Sequence, residues 1–159
     1  MQKSRILKYN FMEIRNIRHT GIVTDDLKAS LYFYKNLLGF RVKKRMIESG
    51  LVTDKISGLK NVRVETIKLY KNNIKQLIEL LYYHSHKRSN NHKNHKIPKI
   101  GISHISFTVK NIKKTYEKLL QKKIKFITSP KISDDKKVKL TFCRAPEGTL
   151  IELVEELRK

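Results

Sequence analysis

The chain has 159 residues, enough for one compact domain or two small fused units with a real core. Its single cysteine, Cys143, rules out an intrachain disulfide and a paired-thiol zinc or redox site, and reads as a small core residue. The net charge of +22 would suit a polyanion, but Lys outnumbers Arg three to one and is spread along the chain. Phosphate and base recognition lean on Arg, and no helix-turn-helix, RNA-recognition or zinc-finger pattern accompanies the charge. Nucleic acid is therefore not the expected partner, while an anionic small molecule would be drawn by the same field.

The amino terminus, "MQKSRILKYNFMEIRN", holds no long apolar run. No signal peptide, membrane span or membrane partner is expected, and the expected location is cytoplasmic. Residues 1–13 read as an N-terminal extension, and a first module is expected over 14–83. It opens with "IRHTGIV", a short strand carrying His19. A helix follows, capped by Asp25 or Asp26, with Leu27, Leu31, Tyr34 and Leu38 at helical spacing and Gly39 as its stop. Three strand-like runs complete the module: "FRVKKRMI", "VRVETIKLY" and "IKQLIELLYY".

A polar stretch over 84–100 contains "HSHKRSNNHKNHKIPK" and reads as a linker. Its His84, His86, His92 and His95 suit either adventitious metal binding or a solvated loop, and the composition favours the loop. Over 101–159 the first pattern returns. "ISHISFTV" carries His104; Asn111 caps a helix striped by Ile112, Tyr116, Leu119 and Leu120; then come "IKFITS", "KVKLTFCRA" and "TLIELVE". The chain is thus an internal repeat of strand, helix and three strands.

Both modules end in "LIEL", which sets Glu79 and Glu152 inside apolar runs. An ionised carboxylate in such a run needs compensation. Side chains alternate along a strand, so Ile78 and Leu80 face away from Glu79, as Ile151 and Leu153 face away from Glu152. By the same alternation His104 points away from Ile105, Phe107 and Val109, and His19 shares a face with Gly21 and Val23. Singly, each is an ordinary strand residue. Together, His19, Glu79, His104 and Glu152 form a repeat-symmetric set suited to a divalent first-row metal.

The segments "HTGIVTDDLKASLYFYKNLLGF", "LIELLYY", "GISHISFTV" and "FCRAPEGTLIELVE" resemble the vicinal oxygen chelate superfamily. That group contains glyoxalase I, methylmalonyl-CoA epimerase, extradiol dioxygenases and bleomycin-resistance proteins. The resemblance runs from Ile14 to Glu155, with Ala145 and Glu147 as mild departures in the final turn. It implies an α+β fold of two paired βαβββ modules, forming a curved, cup-like open sheet around a metal. The family's four metal positions fall on His19, Glu79, His104 and Glu152. The implied metal is Ni, Co, Zn, Fe or Mn, and a homodimer is the implied assembly.

The implied activity is that of a glyoxalase I-like lyase or isomerase, acting on the thiol adduct of a 2-oxoaldehyde. A proton is abstracted next to a carbonyl through a metal-bound enediolate, with Glu152 as base and Glu79 as its near-symmetric partner. A dioxygenase, an epimerase and a non-catalytic binder of the resistance type are the alternatives within the fold. Arg45, Arg63, Lys68 and Arg144 are the candidates to hold an anionic part of the substrate.

Overall fold

The computed structural model describes residues 14–88, 98 and 100–157. The expected N-terminal extension and most of the expected linker, including His92 and His95, lie outside the described residues. Among the described residues eight strands form two four-stranded open sheets. In the first, β1 (His19–Val23), β2 (Arg41–Ser49), β3 (Arg63–Lys71) and β4 (Ile74–Tyr83) run in the order β1-β4-β3-β2. In the second, β5 (Ile105–Thr108), β6 (Lys131–Ile132), β7 (Val138–Arg144) and β8 (Leu150–Glu156) run β5-β8-β7-β6. Each opening strand pairs parallel with the last strand of its own sheet, and the other pairings are antiparallel. The repeat in sequence is therefore a repeat in topology, and the α+β paired-module expectation holds.

Local chemistry sets the helices. Asp26 caps α1 (Leu27–Leu31) by accepting from the Ala29 N–H at 2.9 Å. The helix then widens into a π-turn over Tyr32–Leu37, closed by Leu38 N–H donating to the Phe33 carbonyl five residues back. The widening lets the consecutive residues Phe33 and Tyr34 both lie fully buried. Gly39, at φ 76°, stops the helix as expected. In the second module Asn111 caps α3 (Ile112–Gln121) by accepting from the Lys114 N–H at 2.8 Å. Of the expected stripe, Ile112 and Leu119 are buried and Tyr116 packs edge-on against Phe126, whereas Leu120 is exposed.

Two elements differ from expectation. A helix, α2 (Leu51–Ser57), interrupts the β2–β3 connection where no element was expected. It is bracketed by Gly50 and Gly58, both at positive φ, and Asp54 anchors its return through the N–H groups of Asn61 and Val62 at 2.8 Å. It buries none of its side chains. The expected strand "IKFITS" is not a strand. It makes one isolated bridge, Phe126 with Cys143, before the chain reaches Pro130. A proline N has no hydrogen to donate, and strand pairing resumes only at Lys131–Ile132.

Ile67, Leu69, Ile78 and Leu80 of the first sheet join Ile112 and Leu119 of α3 and Ile151 and Leu153 of the second sheet in one core. Each such side chain contributes about 1.5–3 kcal/mol on full burial. A one-residue slip of β4 would exchange Ile78 and Leu80 for Glu79 and Leu81, so this core fixes which way Glu79 faces. A polar contact also ties the modules together. Glu147, in the β7–β8 turn, accepts from Tyr34 Oη at 2.7 Å and Ser30 Oγ at 3.0 Å, both on the first module's helical segment. Burial first, then the nearby Glu147 carboxylate, holds the Tyr34 hydroxyl well above its usual pKa. Cys143 is buried, and burial pushes its thiol up to about 12, so it is a packing residue and not a nucleophile at neutral pH.

Candidate metal centre

With Ile78 and Leu80 turned into the core, Glu79 faces the opposite side of its sheet. Parallel pairing of β1 with β4 then sets Gly21 beside Glu79 and His19 beside Leu77. His19 Nε2 lies 3.1 Å from Glu79 Oε2. Gly21 leaves the space next to the carboxylate open, and a Cβ built there would press on Leu81 Cδ1 at 3.3 Å. The second module repeats the construction. Ile151 and Leu153 are buried, Glu152 faces the other way with Ser106 beside it, and His104 Nε2 lies 3.5 Å from Glu152 Oε2.

The four expected residues thus come together as two His–Glu pairs, one in each module. Among the described residues no group of three or more His, Cys, Asp or Glu side chains is placed to hold a metal ion. The donor chemistry suits a divalent first-row metal, two imidazole nitrogens and two carboxylates, but each module carries half of it. The described histidines of the expected linker are engaged elsewhere. His84 Nε2 meets Glu65 at 3.2 Å, and His86 Nδ1 meets Ser85 Oγ at 2.7 Å.

A family model described as the Glyoxalase/Bleomycin resistance protein/Dioxygenase superfamily matches residues 16–153. The chain belongs to this superfamily. No functionally curated protein matches it in sequence. Among solved structures it is similar to a glyoxalase family protein from Bacillus cereus, with TM-score 0.83, 21% identity, and 92% of this chain and 97% of that one covered. It is also similar to a glyoxalase family protein from Enterococcus faecalis, with TM-score 0.66, 22% identity, and 91% and 100% covered. The trypanothione-dependent glyoxalase I of Leishmania major gives TM-score 0.61 at 20% identity, with 90% and 88% covered. At such identities these likenesses establish the shared fold.

Within the superfamily frame, the surroundings of the two pairs differ. Lys68 lies directly across from Glu79 on β3, and its Nζ stands 3.4 Å from Glu79 Oε1. Glu79 therefore has an imidazole on one oxygen and an ammonium on the other, which is how a carboxylate only 8% exposed is tolerated within one chain. The residue across from Glu152 is Phe142, whose ring meets the His104 ring edge-on at 5.2 Å. Of the four expected anion contacts, Lys68 is thus at a half-site. Arg45 is paired with Glu65, on the face that carries Ile67. Arg63 is exposed at the start of β3, and the Arg144 guanidinium reaches the Gly148 carbonyl at 3.4 Å. Residue type alone marked Lys68 as a candidate; its contact with Glu79 needed the β3–β4 register.

Among the described residues no helix is long and apolar enough to cross a membrane.

Proposed function

We propose that this protein is a divalent-metal-dependent isomerase or lyase of the glyoxalase I kind, whose metal site is completed by a second copy of the chain. The observation that carries the reading is the pair of matching His–Glu contacts, 3.1 Å in one module and 3.5 Å in the other, with His19 opening β1 and His104 immediately before β5. Two half-sets of donors on one chain call for another chain to complete each of them. Uncovered apolar side chains support that assembly: Leu51 and Ile56 of α2 are each 79% exposed and Val23, on the His19 face, is 48% exposed.

His19 and Glu79 of one copy, with His104 and Glu152 of the other, would hold the metal. A divalent cation bound there supplies Lewis acidity toward two vicinal oxygens of a substrate. Glu152 takes a proton from the carbon next to a carbonyl and returns it to the neighbouring carbon. Among the described residues its carboxylate has no ammonium in contact, and Phe142 stands at the cross-strand position that Lys68 takes beside Glu79, which makes Glu152 the better placed of the two to act as base. The substrate class is the thiol adduct of a 2-oxoaldehyde, with an anionic portion attracted by the basic surface.

Metal content decides the first step. Protein purified without a histidine tag is expected to carry about one metal per chain. A variant in which the four linker histidines are replaced should keep it, and Glu79→Ala should lose it. A specific observation favours one competing reading: the Lys68–Glu79 contact balances the first half-site without any metal. If the wild-type protein takes up no divalent metal, the metal-free small-molecule binder replaces the enzyme reading.

A further inference from the structure

From the inequality of the two half-sites we infer that Lys68 is an internal counter-ion that any incoming metal must displace from Glu79, so that the second module is the firm half of the site and the first the labile half. The inference rests on the metal reading above. Two contacts present at one half-site and absent from the other support it. Lys68 Nζ stands 3.4 Å from Glu79 Oε1, whereas Glu152 has the Phe142 ring at the matching cross-strand position. The two histidines differ in the same sense. His104 has its second ring nitrogen, Nδ1, at 2.7 Å from Ser103 Oγ, while His19 Nδ1 is buried without a hydrogen-bond partner among the described residues.

A ligating histidine is held in orientation by the partner of its other nitrogen, and loss of such a partner weakens metal binding. His104 has that support and His19 lacks it. A carboxylate already neutralised by an ammonium is a poorer ligand, because the metal must exchange one cation for another at the same oxygens. Both effects make the His19–Glu79 half the weaker one. The repeat in sequence disguises this, since the "LIEL" runs are alike and the residues that differ sit on the neighbouring strands.

The test is equilibrium binding of Co2+ to chelator-treated full-length protein, read by calorimetry and by melting temperature. Lys68→Met should bind Co2+ about tenfold more tightly than wild type, because a like charge next to the incoming ion is gone. Lys68→Arg, which keeps the charge, should bind as wild type does. Metal-free Lys68→Met should melt below wild type, having lost the counter-ion, and should gain more from Co2+. Co2+ affinity in Lys68→Met equal to or weaker than wild type would overturn the inference while leaving the metal site standing. No Co2+ binding and no Co2+-dependent melting shift in either protein would overturn both.

Discussion

Glu152→Gln is expected to lower turnover by about 10³-fold while leaving the chain folded. The amide is isosteric with the carboxylate, so the burial of Ile151 and Leu153 on either side is undisturbed and the thermal transition should barely move. What disappears is the proton acceptor, and general-base catalysis is typically worth about 10²–10⁴-fold in rate. Assayed on the adduct of glutathione with methylglyoxal, the variant should fall by roughly 10³-fold in kcat. Glu79→Gln should fall less in kcat, because the Glu79 carboxylate is already engaged by Lys68 and is the less available proton acceptor. Undiminished turnover in Glu152→Gln would refute the assignment of the base.

Glu147→Ala is the substitution expected to cost the most stability outside the core. The Glu147 side chain receives hydroxyl hydrogen bonds from Tyr34 and Ser30 of the other module, and Ser30 Oγ also lies 2.8 Å from Thr24 Oγ1. Removing the acceptor takes the buried Tyr34 hydroxyl's partner away, leaves Ser30 with Thr24 alone and opens a cavity, at a cost of about 3 kcal/mol. For a chain of this length that lowers the melting temperature by roughly 6–12 °C. Tyr34→Phe removes one donor and should cost about 1–2 kcal/mol.

The same network sets an alkaline limit. The Tyr34 hydroxyl is held above its ordinary pKa of 10.0, first by burial and then by Glu147. The unfolded chain releases that proton first as pH rises. The stability tied to the neutral hydroxyl is therefore complete below about pH 10 and is lost above it. Cys143 acts in the same direction, its thiol moving from 9.0 to about 12 on folding. Denaturant melts at pH 8 and pH 11 should show wild type losing more stability than Tyr34→Phe does. An equal loss in the two proteins would show that Tyr34 keeps no excess proton affinity in the fold.

The fold and the donor pairs were legible in the sequence for one physical reason. Strand alternation assigns Glu79 and Glu152 a face as soon as their apolar neighbours are given the core, and the repeat supplies the register of His19 and His104. What stayed hidden depends on pairing across strands and modules. Lys68 meets Glu79 only because a tight turn at Asn72 and Asn73, with Asn73 at φ 69°, and a shift between Leu69 and Lys71 set the β3–β4 register. Tyr34 meets Glu147 across 113 residues of sequence, after a π-turn that helical periodicity does not foresee. The helix α2 was missed because its apolar residues face no core and so left no amphipathic signal. The expected strand "IKFITS" failed because apolar content was weighed without the Pro130 that follows.

The central claim is that each metal site joins the first module of one chain to the second module of its partner. It is tested most directly by a mixed dimer of Glu79→Ala and Glu152→Ala chains, each carrying a different tag free of histidine and purified through both. In that dimer one site combines both defects and the other combines the two intact halves. The account predicts about one metal per mixed dimer and none in either parent. No metal in the mixed dimer, when wild type binds about one per chain, would place both halves of each site within a single chain and contradict it.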